Sequence, residues 1–161
     1  MGLLQKFLRD YTEDLRKRSV KLEAIGRLNE MPSGVQRQLR ESIAATAGGE
    51  RLTTILALNY SGRAEIVDAV KSIVEEVVAG KMEINQINAE VFAERLYTHK
   101  WPDPDLFIRT SGEMRISNFL LWQLSYTEIY VTQKLWPDFS RDDLLEAVEE
   151  FGRRNRRYGG V

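Results

Sequence analysis

The chain has 161 residues, 43% of them hydrophobic, with 23 lysines and arginines against 24 aspartates and glutamates. That is enough for one domain with a buried core, and the formal net charge of −1 excludes a general nucleic-acid binder, so any anion site has to be local. The absence of cysteine excludes disulfides, thiol catalysis and cysteine-ligated zinc, and one histidine, His99, excludes histidine-rich metal sites and most Ser-His schemes. No apolar run reaches the length of a membrane span and no signal-peptide pattern opens the chain, so the expected location is the cytoplasm.

From Met1 to about Ser19, Leu4, Leu8, Tyr11 and Leu15 recur at helical spacing, with Leu3 and Phe7 widening the face. This helix has no cap before it, and the abrupt start reads as a truncation. Val20–Gly26 alternates apolar and polar residues and predicts a strand. After the break at Met31-Pro32, Ser33 is the expected N-cap of a helix carrying Val35, Leu39 and Ile43 and finishing near Gly48-Gly49. Leu52–Leu58 has the nearly continuous apolar pattern of a strand buried on both faces. A turn, Asn59 to Arg63, leads into a helix from Ala64 to about Ala79 with Ile66, Val70, Ile73, Val74 and Val77 inward. A shorter helix is predicted over Asn88–Tyr97, then a strand at Leu106–Arg109, a helix at Asn118–Leu124 and a strand at Glu128–Thr132. The last helix is expected to start at the N-cap Ser140, with Asp142 and Asp143 suiting its dipole and Leu144, Val148 and Phe151 inward. Trp101, Trp122 and Trp136 read as packing residues. Strands alternating with helices predict an α/β fold, a mostly parallel sheet with helices on both faces, and ligands in such sheets bind beyond the carboxyl ends of the strands.

The chemistry concentrates between Pro102 and Phe139. Arg109 ends an apolar strand, a Thr-Ser-Gly turn follows, and Arg115 stands two residues before Ser117, the expected N-cap of the next helix. Guanidinium forks match phosphate oxygens bidentately, and a helix start adds free N–H groups. A single phosphate needs one arginine, so two suggest a diphosphate. The competing reading pairs Arg109 with Glu113, Asp103 or Asp105. Glu128 opens a strand in apolar surroundings; it either pairs with one of the arginines or serves as a Mg²⁺ ligand beside phosphate oxygens. One carboxylate is too few for a metal site, so a partner has to come from elsewhere. Asn59 is read as a turn asparagine, and His99 has no assigned role.

On the segments DLFIRTSGEMRISNFLLWQLSYTEIYVTQKLWPDF, ALNYSGRAEIVDAV and the terminal RRNRRYGG, the sequence resembles the cis-prenyltransferase family, typified by the undecaprenyl diphosphate synthases. The resemblance covers essentially the whole chain. It implies that Arg109, Arg115, Ile116 and Ser117 hold the diphosphate of isopentenyl diphosphate, and that Glu128 is the magnesium ligand. It also implies that Arg157 and Gly159, in an Arg-x-Gly element, reach the diphosphate site of the other subunit of a homodimer. The first helix is similar to one that borders the family's hydrophobic product tunnel. The implied reaction condenses isopentenyl diphosphate with an allylic diphosphate such as farnesyl diphosphate, forming a cis double bond with Mg²⁺ assistance. Peripheral membrane contact would accompany release of the lipid product.

The family's Asp-Gly-Asn-x-Arg motif, which binds the allylic diphosphate and supplies the essential aspartate, does not occur here. The expectation is therefore one domain over residues 1–161, similar to the carboxyl-terminal two-thirds of the enzyme, with no catalytic aspartate of its own and no turnover by itself. The alternative is a non-catalytic subunit supporting an active partner in a heteromeric enzyme; retention of Arg109, Arg115 and Ser117 favours an enzyme origin.

Overall fold

The computed structural model describes residues 2–154, in two compact units divided after Ser61. In the first, helix α1 (Gly2–Lys17), strand β1 (Val20–Ile25), helix α2 (Ser33–Thr46) and strand β2 (Leu52–Ala57) follow in order. The two strands are parallel, from Val20↔Leu52 to Ile25↔Ala57. Leu8 of α1, Leu22 of β1 and Leu39 of α2 form the buried centre, with Leu4, Leu15, Ala24, Ile43, Leu56 and Leu58 packed around it. Both helices thus lie against the strand face that carries Leu22 and Ala24.

A buried polar string runs through the same contact. The Thr12 hydroxyl donates to Ser42 Oγ at 2.7 Å, and Thr46 Oγ1 donates to the Ser42 carbonyl at 2.9 Å while accepting from Leu22 N–H at 3.1 Å. Thr46 so satisfies a β1 donor that would otherwise be buried without a partner. Two expectations are corrected here. Ser33 is the first helical residue and not the cap: Pro32 holds the cap position and no side chain closes that end. Leu52–Leu58 is not buried on both faces; Leu52 and Thr53 are exposed and the rest of β2 is half-buried, since α1 and α2 cover one face only.

The second unit contains α3 (Gly62–Val78), α4 (Ala89–Ala93), β3 (Leu106–Arg109), β4 (Glu128–Val131) and α5 (Arg141–Arg153). Strands β3 and β4 pair in parallel, Leu106↔Glu128 to Arg109↔Val131. The α/β class and parallel pairing are as expected, in two two-stranded sheets among the described residues. Helix α3 begins two residues early; Ile73 is inward as expected, but the buried face is shifted. Its buried residues are Gly62, Glu65, Ala69 and Ile73, whereas Val70 and Val74 are exposed. The reason is polar: Glu65 accepts hydrogen bonds from Tyr97 N–H at 2.8 Å and from Gln123 Nε2 at 3.1 Å, so a carboxylate occupies the middle of the buried stripe. Helix α4 is one turn long, shorter than the expected Asn88–Tyr97; Asn88 caps it by accepting from Val91 N–H, and the chain then loosens into turns that bury Leu96. Trp136 is exposed and stacks on Phe139, so it is not a packing residue of the core.

Helix α5 starts at the expected cap. Ser140 accepts from Asp143 N–H, and the Asp143 carboxylate returns a bond to Ser140 N–H at 2.7 Å. Its buried residues are Asp143 and Ala147, while Leu144 and Val148, expected inward, are exposed. Lys134 Nζ lies 2.5 Å from the Asp143 carboxylate. That ammonium, then the Ser140 hydroxyl and N–H, lower the Asp143 pKa from 3.8 to about 2. A carboxyl depressed in the folded state stabilises above its unfolded pKa and loses that contribution as pH falls through the folded one. Unfolding midpoints should therefore drop between pH 4 and pH 2 more steeply in the unaltered chain than in Asp143→Asn; equal slopes would remove Asp143 from the acid-sensitive set.

Candidate anion-binding site

Strand β3 delivers Arg109 to its carboxyl end. There the turn is tied back by Ser111 N–H to the Lys134 carbonyl and Gly112 N–H to the Thr132 carbonyl, both at 2.8 Å. Ser111 and Gly112 have φ of 68° and 65°, and a Cβ on Gly112 would stand 2.3 Å from Gln133 Oε1. Only glycine fits that approach without moving the Gln133 side chain. The turn returns the chain over β3 and brings Arg115 and Ser117 back towards Arg109.

Arg109 and Arg115 share one cavity of about 230 Å³, whose walls include Phe107, Ile116, Ile129 and Val131. The Arg109 Nη2 group donates to Ser117 Oγ at 3.3 Å and lies 3.6 Å from Glu113 Oε2. Arg115 closes on the same Glu113 oxygen in a short ion pair. Arg109, Arg115, Ile116 and Ser117 are thus gathered, with Glu113 set between the guanidiniums as their internal counter-ion. The pairing of Arg109 with Glu113 weighed against the anion reading is real, yet incomplete: Arg109 Nε is buried with no acceptor. A buried donor without a partner is costly, and an anionic oxygen would satisfy it.

The helix start invoked for this site is absent. Residues 118–124 form turns, with φ of 49° at Ser117, 62° at Asn118 and 47° at Leu120, values incompatible with a right-handed helix. Asn118 instead serves α3: its carbonyl accepts from Gly62 N–H at 2.8 Å and its side-chain oxygen from Arg63 N–H at 2.9 Å. The cradle therefore rests on two guanidiniums and a hydroxyl, without a helix dipole.

Glu128 is not brought to the cradle. Parallel register sets it beside Leu106, at the opposite end of β3 from Arg109. Its Oε2 accepts from Arg154 Nη1 at 2.8 Å, so the arginine it pairs with is neither of the two at the cradle. A half-buried carboxylate oxygen suits Mg²⁺ as one ligand beside phosphate oxygens. Among the described residues no cluster of three or more metal-ligating side chains surrounds it. Arg157 and Gly159 lie outside the described residues. Asn59 is a turn residue, as read: its φ is 46° and its amide donates to the Arg27 carbonyl at 3.1 Å and to Glu30 at 3.0 Å. Sequence reasoning passed over Arg154 and Gln123. The first stood in the quoted RRNRRYGG run, and the second in the apolar stretch after Ser117.

Two parallel β-strand pairs, the first joined through helix α2, and a polar turn with arginines at a strand's carboxyl end put the chain among α/β proteins that use strand ends for ligands. The family model described as putative undecaprenyl diphosphate synthase matches residues 1–159, and the chain belongs to that family. It is 48% identical over 159 residues to an isoprenyl transferase of Heliobacterium mobile, covering 99% of this chain and 61% of that protein. The chain thus spans about six-tenths of the length of that relative. Among solved structures it is similar to lavandulyl diphosphate synthase from Lavandula x intermedia in complex with dimethylallyl diphosphate. That match has TM-score 0.95 and 36% identity, over 99% of this chain and 69% of the other. A probable undecaprenyl diphosphate synthase from Campylobacter jejuni matches with TM-score 0.86 and 33% identity, over 99% and 72%.

Proposed function

We propose that the chain carries the isopentenyl diphosphate half of a cis-prenyltransferase, an enzyme that condenses isopentenyl diphosphate with an allylic diphosphate such as farnesyl diphosphate. The observation that supports this most directly is the pair Arg109 and Arg115 with Ser117 above an apolar cavity, one guanidinium nitrogen buried and unpartnered. The diphosphate takes the guanidiniums and the Ser117 hydroxyl, displacing Glu113 from between them. The apolar side chains Phe107, Ile116 and Val131 then face the five-carbon unit. Glu128 is the proposed protein ligand for Mg²⁺, which when bound would offset the charge of the departing diphosphate; that role requires Glu128 to leave Arg154. The protein is proposed to act as a cytoplasmic homodimer, with Arg157 and Gly159 reaching the other subunit's diphosphate and with peripheral membrane contact at product release. No helix among the described residues is long and apolar enough to cross a membrane.

The allylic diphosphate site and the essential aspartate are proposed to come from residues other than these 161. Two measurements on the chain test the reading together. Calorimetry should detect isopentenyl diphosphate binding, and a radiolabelled condensation assay with farnesyl diphosphate should give no polyprenyl product. No binding sinks the assignment of the cradle. Turnover by this chain alone means that the essential groups are misplaced.

A further inference from the structure

Arg154 stands where α5 ends: its backbone is extended (φ −78°, ψ 134°) and its N–H donates to the Phe151 carbonyl at 3.1 Å. Its guanidinium makes three further bonds. Nη1 donates to Glu128 Oε2 at 2.8 Å and to the Ile129 carbonyl at 3.0 Å, and Nη2 donates to Glu150 Oε1 at 2.5 Å. These acceptors belong to two elements, so the side chain straps the last turn of α5 to the first residues of β4. The Arg154 and Glu128 side chains are 30% and 29% exposed, within reach of solvent and ions without unfolding.

We propose that Arg154 and a divalent cation are alternative partners of Glu128, so that loading the ion loosens the end of α5. This rests on the reading of Glu128 as a metal ligand. A divalent ion binds a carboxylate oxygen at about 2.1 Å. Held at the same oxygen, a guanidinium would face a doubly positive ion about 4 to 5 Å away, where like charges repel strongly near a protein surface. Arg154 keeps two other acceptors, Ile129 O and Glu150, so losing Glu128 loosens the strap without leaving the guanidinium alone. Linkage then works both ways: whatever holds the end of α5 against β4 weakens the ion, and the ion weakens that hold by the same factor. Arg154 lies three residues before Arg157, so the exchange would tie ion loading at Glu128 to the segment proposed to reach the other subunit.

The test uses the 161-residue chain with Mn²⁺ as the probe, free ion being counted by its paramagnetic resonance signal at a fixed concentration of inorganic diphosphate. Arg154→Gln should tighten Mn²⁺ binding about fivefold or more, the lower end of usual coupling factors, and Glu128→Gln should lower it in both backgrounds. Hydrogen exchange on the unaltered chain supplies a measurement independent of any variant's folding: the amides of Phe151 to Arg154 should exchange faster when Mn²⁺ is added. Unchanged or weaker ion binding in Arg154→Gln, with Glu128→Gln still impaired, overturns the competition and leaves Glu128 a ligand. An unaffected Glu128→Gln removes the ligand assignment itself, and the switch with it. Unchanged exchange at Phe151 to Arg154 under saturating Mn²⁺ also overturns the proposal.

Discussion

Arg109→Ala is expected to weaken isopentenyl diphosphate binding by about 10- to 150-fold, the equivalent of a charge-assisted hydrogen bond worth about 1.5–3 kcal/mol. Arg115→Ala should also weaken it, by less. Arg109 is 28% exposed and its Nε is buried without an acceptor, whereas Arg115 is 70% exposed and water competes for its donors. Arg109→Lys separates charge from shape. An ammonium keeps the positive charge but cannot present a fork to a diphosphate, so most of the loss should persist. Removing Arg109 leaves Glu113 paired with Arg115, so the unfolding midpoint should move little. Calorimetric titration of the three variants decides the matter. If Arg109→Ala and Arg115→Ala both bind within about twofold of the unaltered chain, diphosphate is held elsewhere.

The parts of this site that were legible in the sequence are those fixed by short-range chemistry. Leu106, Phe107 and Ile108 followed by Arg109 could only be a strand delivering a charge to its end, and the Ser111-Gly112 turn had to reverse there. A parallel arrangement was expected from the alternation of apolar strands with helices; β1 and β2 follow it through α2, and β3 and β4 are parallel although turns, not a helix, join them. What failed depended on partners distant in sequence. Phe119, Leu120 and Leu121 looked like the start of a buried helix. Yet Asn118 spends both its carbonyl and its side-chain oxygen on the first N–H groups of α3, and the backbone at Ser117, Asn118 and Leu120 bends left-handed. Helix faces failed for a related reason. Hydropathy places carboxylates outward, but Glu65 is turned inward by Tyr97 and Gln123, and Asp143 by Lys134 and Ser140. In each case part of the expected apolar stripe stays exposed: Val70 and Val74 in α3, Leu144 and Val148 in α5. The pairing of Glu128 with a cradle arginine failed in the same way, since its partner is Arg154, 26 residues further on at the end of α5.

The largest loss of stability is expected from Gly26→Ala. Gly26 follows the last residue of β1 with φ of 108°, and a Cβ there would stand 2.1 Å from the Leu58 carbonyl oxygen and 3.3 Å from the Tyr60 Cα. Those atoms are backbone, held by Leu58 N–H bonding the Ile25 carbonyl at 3.0 Å and by Arg27 N–H bonding the Asn59 carbonyl at 3.4 Å. The alanine can therefore be accommodated only by parting the ends of β1 and β2. Backbone strain of about 1–3 kcal/mol and overpacking of similar size add to about 3 kcal/mol or more. Gly80 is the control that separates the two contributions. Its φ is 66°, also left-handed, but nothing lies within 4 Å of a Cβ built there. Gly80→Ala should cost about 1 kcal/mol, the conformational part alone. In urea titrations Gly26→Ala should lower the midpoint by about 1–3 M, for slopes of about 1–3 kcal/mol per M. The shift for Gly80→Ala should be a third of that or less. Equal shifts for the two would mean that Leu58 and Tyr60 yield freely. The close approach of the two strand ends, which sets the Asn59 turn beside Arg27 and Glu30, would then not be a rigid feature of this unit.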